Sequence, residues 1–482
     1  MPNPKETLQR SQERWSALLP VLNDYIATPN KSPAFDADWK VNGHMDRAVT
    51  MFSEWARAQA EHIPGLTVQV QEIEGKTPLI YIEAPGTAPG KILMYGHLDK
   101  QPEFEGWTNG REPWKAQLEG DRLYGRGGAD DGYAMFASLF ALRQLAENKT
   151  PYAKTSIIIE ASEESGSPDL PAHLALLSDK IGTPDAVVCL DSGTGDYDRF
   201  WETTSLRGIV TGTLKVSTLK EGVHSGIGSG GAPDSFMIAT NLLRRLQNPE
   251  TGEIIPELHR EIPAERIEQA RAVAQLFKDK LKEEIPFLEG VETLHPDIVE
   301  LVLNKTWRPA LTVTGSNLPA MKDAGNVLRP STELKLSMRI PPGMDADAAA
   351  DLMQKRLEEN PPFKAHVSFE RGSVAVGWSA PETAEWLRHA IDSASDKYFD
   401  NPAMAMGEGG TIPFMAMLGK QFPEAQFVIT GVLGPGSNAH GPNEFLDMDY
   451  VSKLTPAVAE IVAAHARHKS ETSEGQNDFA SF

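Results

Sequence analysis

The chain has 482 residues, more than one hydrophobic core normally serves, so two or three domains are expected. Hydrophobic residues make up 40% and charged residues 23%, a globular composition, and 67 Asp plus Glu against 46 Lys plus Arg leave a formal net charge of -21. A surface this acidic repels phosphate backbones and anionic lipid, which argues against nucleic-acid and membrane partners, and the one cysteine, Cys189, rules out an intrachain disulfide or a thiolate cluster.

The opening MPNPKETLQRSQERW is polar and has no signal-peptide core, so a cytoplasmic protein is expected. Residues 5–28 predict an amphipathic helix with Leu8, Trp15, Leu18, Leu19 and Leu22 at helical spacing, and a second helix is expected over 46–62. LTVQVQEIEG and PLIYIEA then read as strands leading into KILMYGHLD, whose apolar run Ile92–Tyr95 ends at His97 and Asp99. A carboxylate two residues along an extended chain can hold the second N–H of a metal-binding imidazole, although an ordinary hydrogen-bonded histidine gives the same tripeptide.

LYGRGGADDGYAMF follows, with glycines for a tight turn, then Asp130, then helical periodicity; alone, Asp130 reads more readily as a helix N-cap than as a ligand. KTSIIIEASEESGS carries a buried strand that ends near Glu163 and Glu164, two adjacent carboxylates whose repulsion a cation or shared proton would relieve, although an acidic pair exposed at the surface reads equally well. DAVVCLDSG repeats the pattern with Asp191, and QFVITGVLGPGSNAHGPNEF places His440 in a Gly-rich loop after a strand. These strand-to-loop positions suit one cleft at the carboxyl ends of an α/β sheet. Two histidines and several carboxylates without thiolate suit two divalent ions sharing a bridging carboxylate and activating one water.

Between 207 and 378 the pattern changes to strand, helix, strand, helix, strand: IVTGTLKVSTL, a helix over 232–246, ELKLSMRI, ADAAADLMQKRLEEN and HVSFERGSVAVGW. The expected class is therefore α/β, a catalytic domain (1–206 and 379–482) with a mixed sheet flanked by helices, interrupted by an inserted α+β domain (207–378). The charged segment PAERIEQARAVAQLFKDKLKEEI reads as a solvated surface helix, and the tail from Ser470 as disordered. In ELKLSMRI, Arg339 falls on the face opposite Leu334, Leu336, Met338 and Ile340.

Taken in order, GHLD, GRGGADD, EASEESGS, LDSG, SLRG, GVHSG, LSMRIPP, EGGTIPF and NAHGPNE resemble the di-zinc metallopeptidase family of carnosinase, cytosolic nonspecific dipeptidase, aminoacylase and the bacterial desuccinylases, nearest to its dipeptidase branch. The resemblance implies His97 and Asp191 on one metal, Glu164 and His440 on the other, and Asp130 bridging. It makes Glu163 the general base and Asp99 the residue that orients His97. His224 would polarise the scissile carbonyl across a homodimer formed by the inserted lid domain, and Asn326, Arg339, Gly410 and Thr411 would hold the substrate's carboxyl end. Two divalent ions, zinc with manganese or cobalt as alternatives, are the implied cofactors. Cleavage of dipeptides or short peptides with a free carboxyl end is the expected activity; N-acyl amino acid deacylation is the alternative on the same site, and an inactive binding relative is a further one that the presence of Glu163 disfavours. The chain departs from the family at Gly407, where a larger residue is expected, and at Thr411, where serine is usual.

Overall fold

The apolar runs of the first 200 residues and of 426–429 form one six-stranded sheet: β1 (Thr67–Gln71), β2 (Leu79–Ala84), β3 (Ala88–His97), β4 (Ala153–Glu160), β5 (Ala186–Cys189) and β6 (Gln426–Ile429), in the order β1-β2-β4-β3-β5-β6. β4, β3, β5 and β6 run parallel, and β1 and β2 continue the sheet antiparallel. The parallel strands are buried on both faces, which is why they read as unbroken apolar runs rather than alternating ones. Ile157, Ile158 and Ile159 are each at most 1% exposed and contribute on the order of 1.5–3 kcal/mol apiece through burial. Register pairs His97 with Glu160 and Tyr95 with Cys189, so β3 and β4 end at one level and β5 two residues short of it, with Asp191 following.

The computed structural model describes residues 3–283 and 285–479. The chain divides into two units, Met1–Thr203 with Ala380–Ala405 and Met417–Phe482, and Thr204–Ser379 with Met406–Ala416. In the first unit, helices Pro4–Ile26, His44–Ala58, Ala134–Glu147, Glu385–Phe399 and Met448–Phe479 surround the sheet. Trp15, Phe52, Trp55, Phe136 and Phe140 interlock edge to face among them. The last helix runs through Phe479, so 470–479 are helical where the polar composition predicts disorder. No helix among the described residues is long and apolar enough to cross a membrane.

The second unit is an antiparallel four-stranded sheet in the order Ala310–Ser316, Ser331–Ile340, Gly208–Ser217, His366–Ala375. Helices Ser235–Leu243 and Ala346–Glu358 close its apolar face, and Met353 of the second helix joins Leu214, Leu336 and Met338 of the sheet in one core. The edge strand Ala310–Ser316 is an addition to the predicted elements. The helix predicted as a solvated one, Ala264–Phe277, instead buries Ala270, Val273 and Ala274 and packs on helix Ile298–Thr306. Met406–Ala416 sits with this unit because its glycines touch that second helix: a Cβ on Gly407 would lie 3.1 Å from Thr306 Cβ, and one on Gly409 2.8 Å from the Lys305 carbonyl.

Candidate metal centre

The loops leaving the carboxyl ends of β3, β4, β5 and β6, with the turn before helix Ala134–Glu147, carry every ligand candidate named from sequence. His97 closes β3, Asp191 lies two residues past β5, and Glu164 is in the single turn Glu163–Ser165 after β4. Asp130 stands in a Gly-rich turn that needs its glycines. Gly127 has φ +81°, and a Cβ there would come within 2.6 Å of the Lys100 side chain. His440 follows β6 in a loop where its own φ is +61°, a region few non-glycine residues adopt.

The structure brings these residues into two groups with one member in common. His97, Asp130 and Asp191 form one, Asp130, Glu164 and His440 the other, and within each the ligand atoms lie within 4.8 Å of one another. Asp130 turns Oδ1 toward His97 Nε2 at 3.3 Å and Oδ2 toward His440 Nε2 at 3.0 Å. His97 Nε2 is 3.8 Å from Asp191 Oδ2, and His440 Nε2 is 3.3 Å from Glu164 Oε2. A tetrahedral ion with ligands at ~2.1 Å holds them about 3.4 Å apart, so each group has the spacing of a divalent site. His97 Nε2 and Glu164 Oε1, one in each group, are buried without a hydrogen-bond partner. The donor set is imidazole and carboxylate, which suits zinc, manganese or cobalt.

The electrostatics agree with a cation between them. Burial, then the nearby charge of Asp191, pushes the Glu163 carboxyl well above its usual range, and burial with Asp130 and Glu163 does the same to Glu164. Burial raises Asp191 to about 6 although His97 opposes it. Burial also works to raise Asp130, yet the imidazoles of His440 and His97 beside it outweigh burial and hold that carboxyl low. Carboxylates this crowded repel one another unless positive charge lies among them.

Asp99 does more than its sequence position announces. His97 Nδ1 lies 3.1 Å from the Asp99 carbonyl oxygen and 3.5 Å from its carboxylate, a tie that orients the ring. The carboxylate itself accepts the backbone N–H of Glu163 and of Glu164, each at 3.1 Å, and so holds the turn that presents both glutamates. Two contributors escaped the sequence pattern. Gln101 donates to Glu164 Oε2, and Asp131 accepts the His97 backbone N–H at 3.2 Å. Only the neighbouring position of Asp131 beside Asp130 hinted at either.

The remaining candidates belong to the second unit. His224 is exposed, its Nδ1 accepts the Gly226 N–H at 3.1 Å, and it pairs with Val327 in a short ribbon beside Asn326. Arg339 lies on the half-buried face of its strand and donates to Thr411 Oγ1 at 3.0 Å, while Thr411 donates to the Arg207 carbonyl at 2.5 Å. Gly410, next to Thr411, is exposed with open space around it. The departure at Gly407 has a steric reason: a Cβ there would be 2.4 Å from Ser205 Oγ.

A parallel sheet with two ligand groups at its carboxyl edge, sharing one carboxylate, is the arrangement of a metallopeptidase. The model of peptidase family M20/M25/M40 matches residues 93–464, and the chain belongs to that family. It is 28% identical over 424 residues to a cysteinylglycine-S-conjugate dipeptidase of Corynebacterium striatum, covering 86% of this chain and 90% of that one. It is 24% identical over 415 residues to the Beta-Ala-His dipeptidase of Mus musculus, covering 82% of each. Among solved structures, human carnosine dipeptidase 1 superposes with a TM-score of 0.77 at 19% identity, over 97% of this chain and 99% of the other.

Proposed function

We propose that this chain is a dipeptidase with a two-ion centre, hydrolysing the amide bond of dipeptides or short peptides that bear a free C-terminal carboxylate. The observation that carries the reading is Asp130, whose two oxygens face two histidines from separate strand-end loops. The dipeptidase names of the relatives support the substrate class. His97 and Asp191 would hold one ion, Glu164 and His440 the other, and Asp130 both. When bound, the ions supply Lewis acidity to a water and to the scissile carbonyl. Zinc fits this donor set best, with manganese or cobalt as alternatives.

The protein's own groups do the rest. Glu163, presented by a turn tied to Asp99, takes the proton of the attacking water and returns it to the leaving amine. Asp99 keeps the His97 ring facing Asp130 and Asp191. From the inserted domain, residues 207–378, which would act as lid and dimerisation domain, His224 serves to polarise the scissile carbonyl, in trans within a homodimer. Arg339 presents a planar pair of donors that matches a carboxylate, with Thr411, Gly410 and Asn326 completing the hold on the substrate's carboxyl end. The single buried cysteine fits a cytoplasmic setting.

The test is a screen of dipeptides, C-terminally amidated dipeptides and N-acyl amino acids, with zinc, manganese or cobalt added back to chelated protein. Free dipeptides should turn over, and amidation should lower kcat/KM about tenfold to a hundredfold in wild type but little further in Arg339→Ala. Faster turnover of N-acyl amino acids than of any dipeptide would sink the dipeptidase reading. Equal losses on amidation in both proteins would remove Arg339 from the carboxylate site.

A further inference from the structure

Glu444 stands four residues beyond His440, is 0% exposed, and has no part in the chemistry above. Its Oε1 accepts backbone N–H groups of Gly127 at 3.0 Å, Ala129 at 3.2 Å and Asp130 at 3.2 Å. Its Oε2 accepts Arg126 Nη1 at 2.7 Å, and its carbonyl accepts the Gly125 N–H at 3.0 Å. Arg126, 1% exposed, also donates to the Gly441 carbonyl at 2.6 Å and the Pro102 carbonyl at 3.0 Å. One buried carboxylate therefore joins the turn that carries Asp130 to the loop that carries His440.

Stability alone gives a weak reason for such a group. A buried ion pair spends most of its attraction on desolvation, and well-packed apolar residues commonly replace one without loss. The geometry asks for something apolar residues lack. Three amides converge on one oxygen, and a carboxylate is the side chain that can accept all of them while its other oxygen accepts from a guanidinium. The two segments it joins are the ones that must bring Asp130 Oδ2 within 3.0 Å of His440 Nε2. His440 also sits in a left-handed backbone conformation that its surroundings must maintain.

We propose that Glu444 is a positioning residue for the metal centre: with Arg126 it sets the Asp130 turn against the His440 loop, so that the shared carboxylate faces both ligand groups. The proposal rests on the two-ion reading above. Because Asp130 serves both groups, loosening it should weaken both ions together.

The test titrates cobalt(II) alone into chelator-treated full-length protein, followed by its visible absorption and by competition with a chelator, for wild type, Glu444→Gln, Glu444→Asp and Asp130→Asn. Glu444→Gln should bind both equivalents about tenfold to a hundredfold more weakly, the usual cost of losing a group that orients a ligand. Its kcat should recover to within a few-fold at saturating cobalt, with the KM for a dipeptide unchanged. Glu444→Asp, which keeps the charge but cannot span both sets of donors, should fall between, and it decides the question if the glutamine variant does not fold. Wild-type cobalt affinity in a folded Glu444 variant, or lost turnover that cobalt does not restore, would overturn the proposal. Wild-type cobalt binding by Asp130→Asn would instead overturn the two-ion reading itself.

Discussion

The two ends of the catalytic sheet treat carboxylates in opposite ways. At the carboxyl ends, Glu163, Glu164, Asp130 and Asp191 crowd together, and burial with mutual repulsion pushes all but Asp130 upward. At the amino ends, Asp185 precedes β5 and accepts the Lys91 N–H at 2.8 Å, with Lys469 Nζ at 2.5 Å and His465 Nε2 at 3.5 Å. Burial works against its ionised form, but His465, Lys469 and the Lys91 amide outweigh it and hold the carboxyl well below the usual range. One edge holds carboxylates that crowd and oppose one another's charge, and the other holds a charge already satisfied. The same residue type thus serves chemistry at one end of a strand and cohesion at the other.

The sharpest way to break this contrast is Glu163→Gln. Metal content should stay near wild type while turnover falls at least several hundredfold, the upper part of the range for losing a general base. Metal-free Glu163→Gln should unfold no earlier than wild type, because an isosteric neutral group replaces a crowded carboxylate. Loss of metal together with loss of stability would place Glu163 among the ligands instead.

A second measurement compares the two histidines. The His97 side chain is 0% exposed and that of His440 56% exposed. Both alanine variants should lose bound metal. Only His97→Ala should also lower the denaturation midpoint of the chelated protein, by about 1–3 kcal/mol in unfolding free energy, since it leaves buried acceptors unpaired. Equal destabilisation would contradict the difference in burial.

The smallest effect belongs to Asp185→Asn, which should leave metal content and kcat alone and lower stability by about 1–2 kcal/mol at neutral pH. The folded pKa of Asp185 is depressed, so its contribution is present in full above the unfolded value of about 3.9 and is lost progressively as pH falls from there through the depressed folded value. The gap between variant and wild type should therefore narrow step by step as pH falls below about 4. A gap that stays constant from about pH 6 down to about pH 3 would show that packing, not charge, holds that corner.

The sequence showed the catalytic edge more clearly than the parts that support it. Ile157–Ile159 and Val187–Val188 are apolar runs that can only be interior strands, so the polar residues just past them had to lie at one edge. Arg339 was legible because alternation along its strand is strict, with Leu334, Leu336, Met338 and Ile340 buried and Arg339 half-buried. Contacts between distant segments were not legible. Nothing near Asp99 says that its carboxylate would meet amides 64 and 65 residues away. The burial of helix Ala264–Phe277 depends on a partner helix whose placement no local pattern encodes, and so does the crowding around Gly407. The terminal helix through Phe479 runs against a polar composition that, read by itself, favours no order.

The late position of β6 carries a consequence for how the protein is made. Its partner β5 ends at Cys189, but β6 begins only at Gln426, and His440 comes later still. The intervening second unit has its own sheet and core and can form while the ribosome is still working. At ~5–20 residues per second, the wait between the two strands is on the order of ten to fifty seconds. Through that interval the nascent chain holds His97, Asp130, Glu164 and Asp191 but not the last histidine. A hydrolase assembled in this order cannot bring its two candidate ligand groups together until Gln426–Ile429 and the loop behind it have been made.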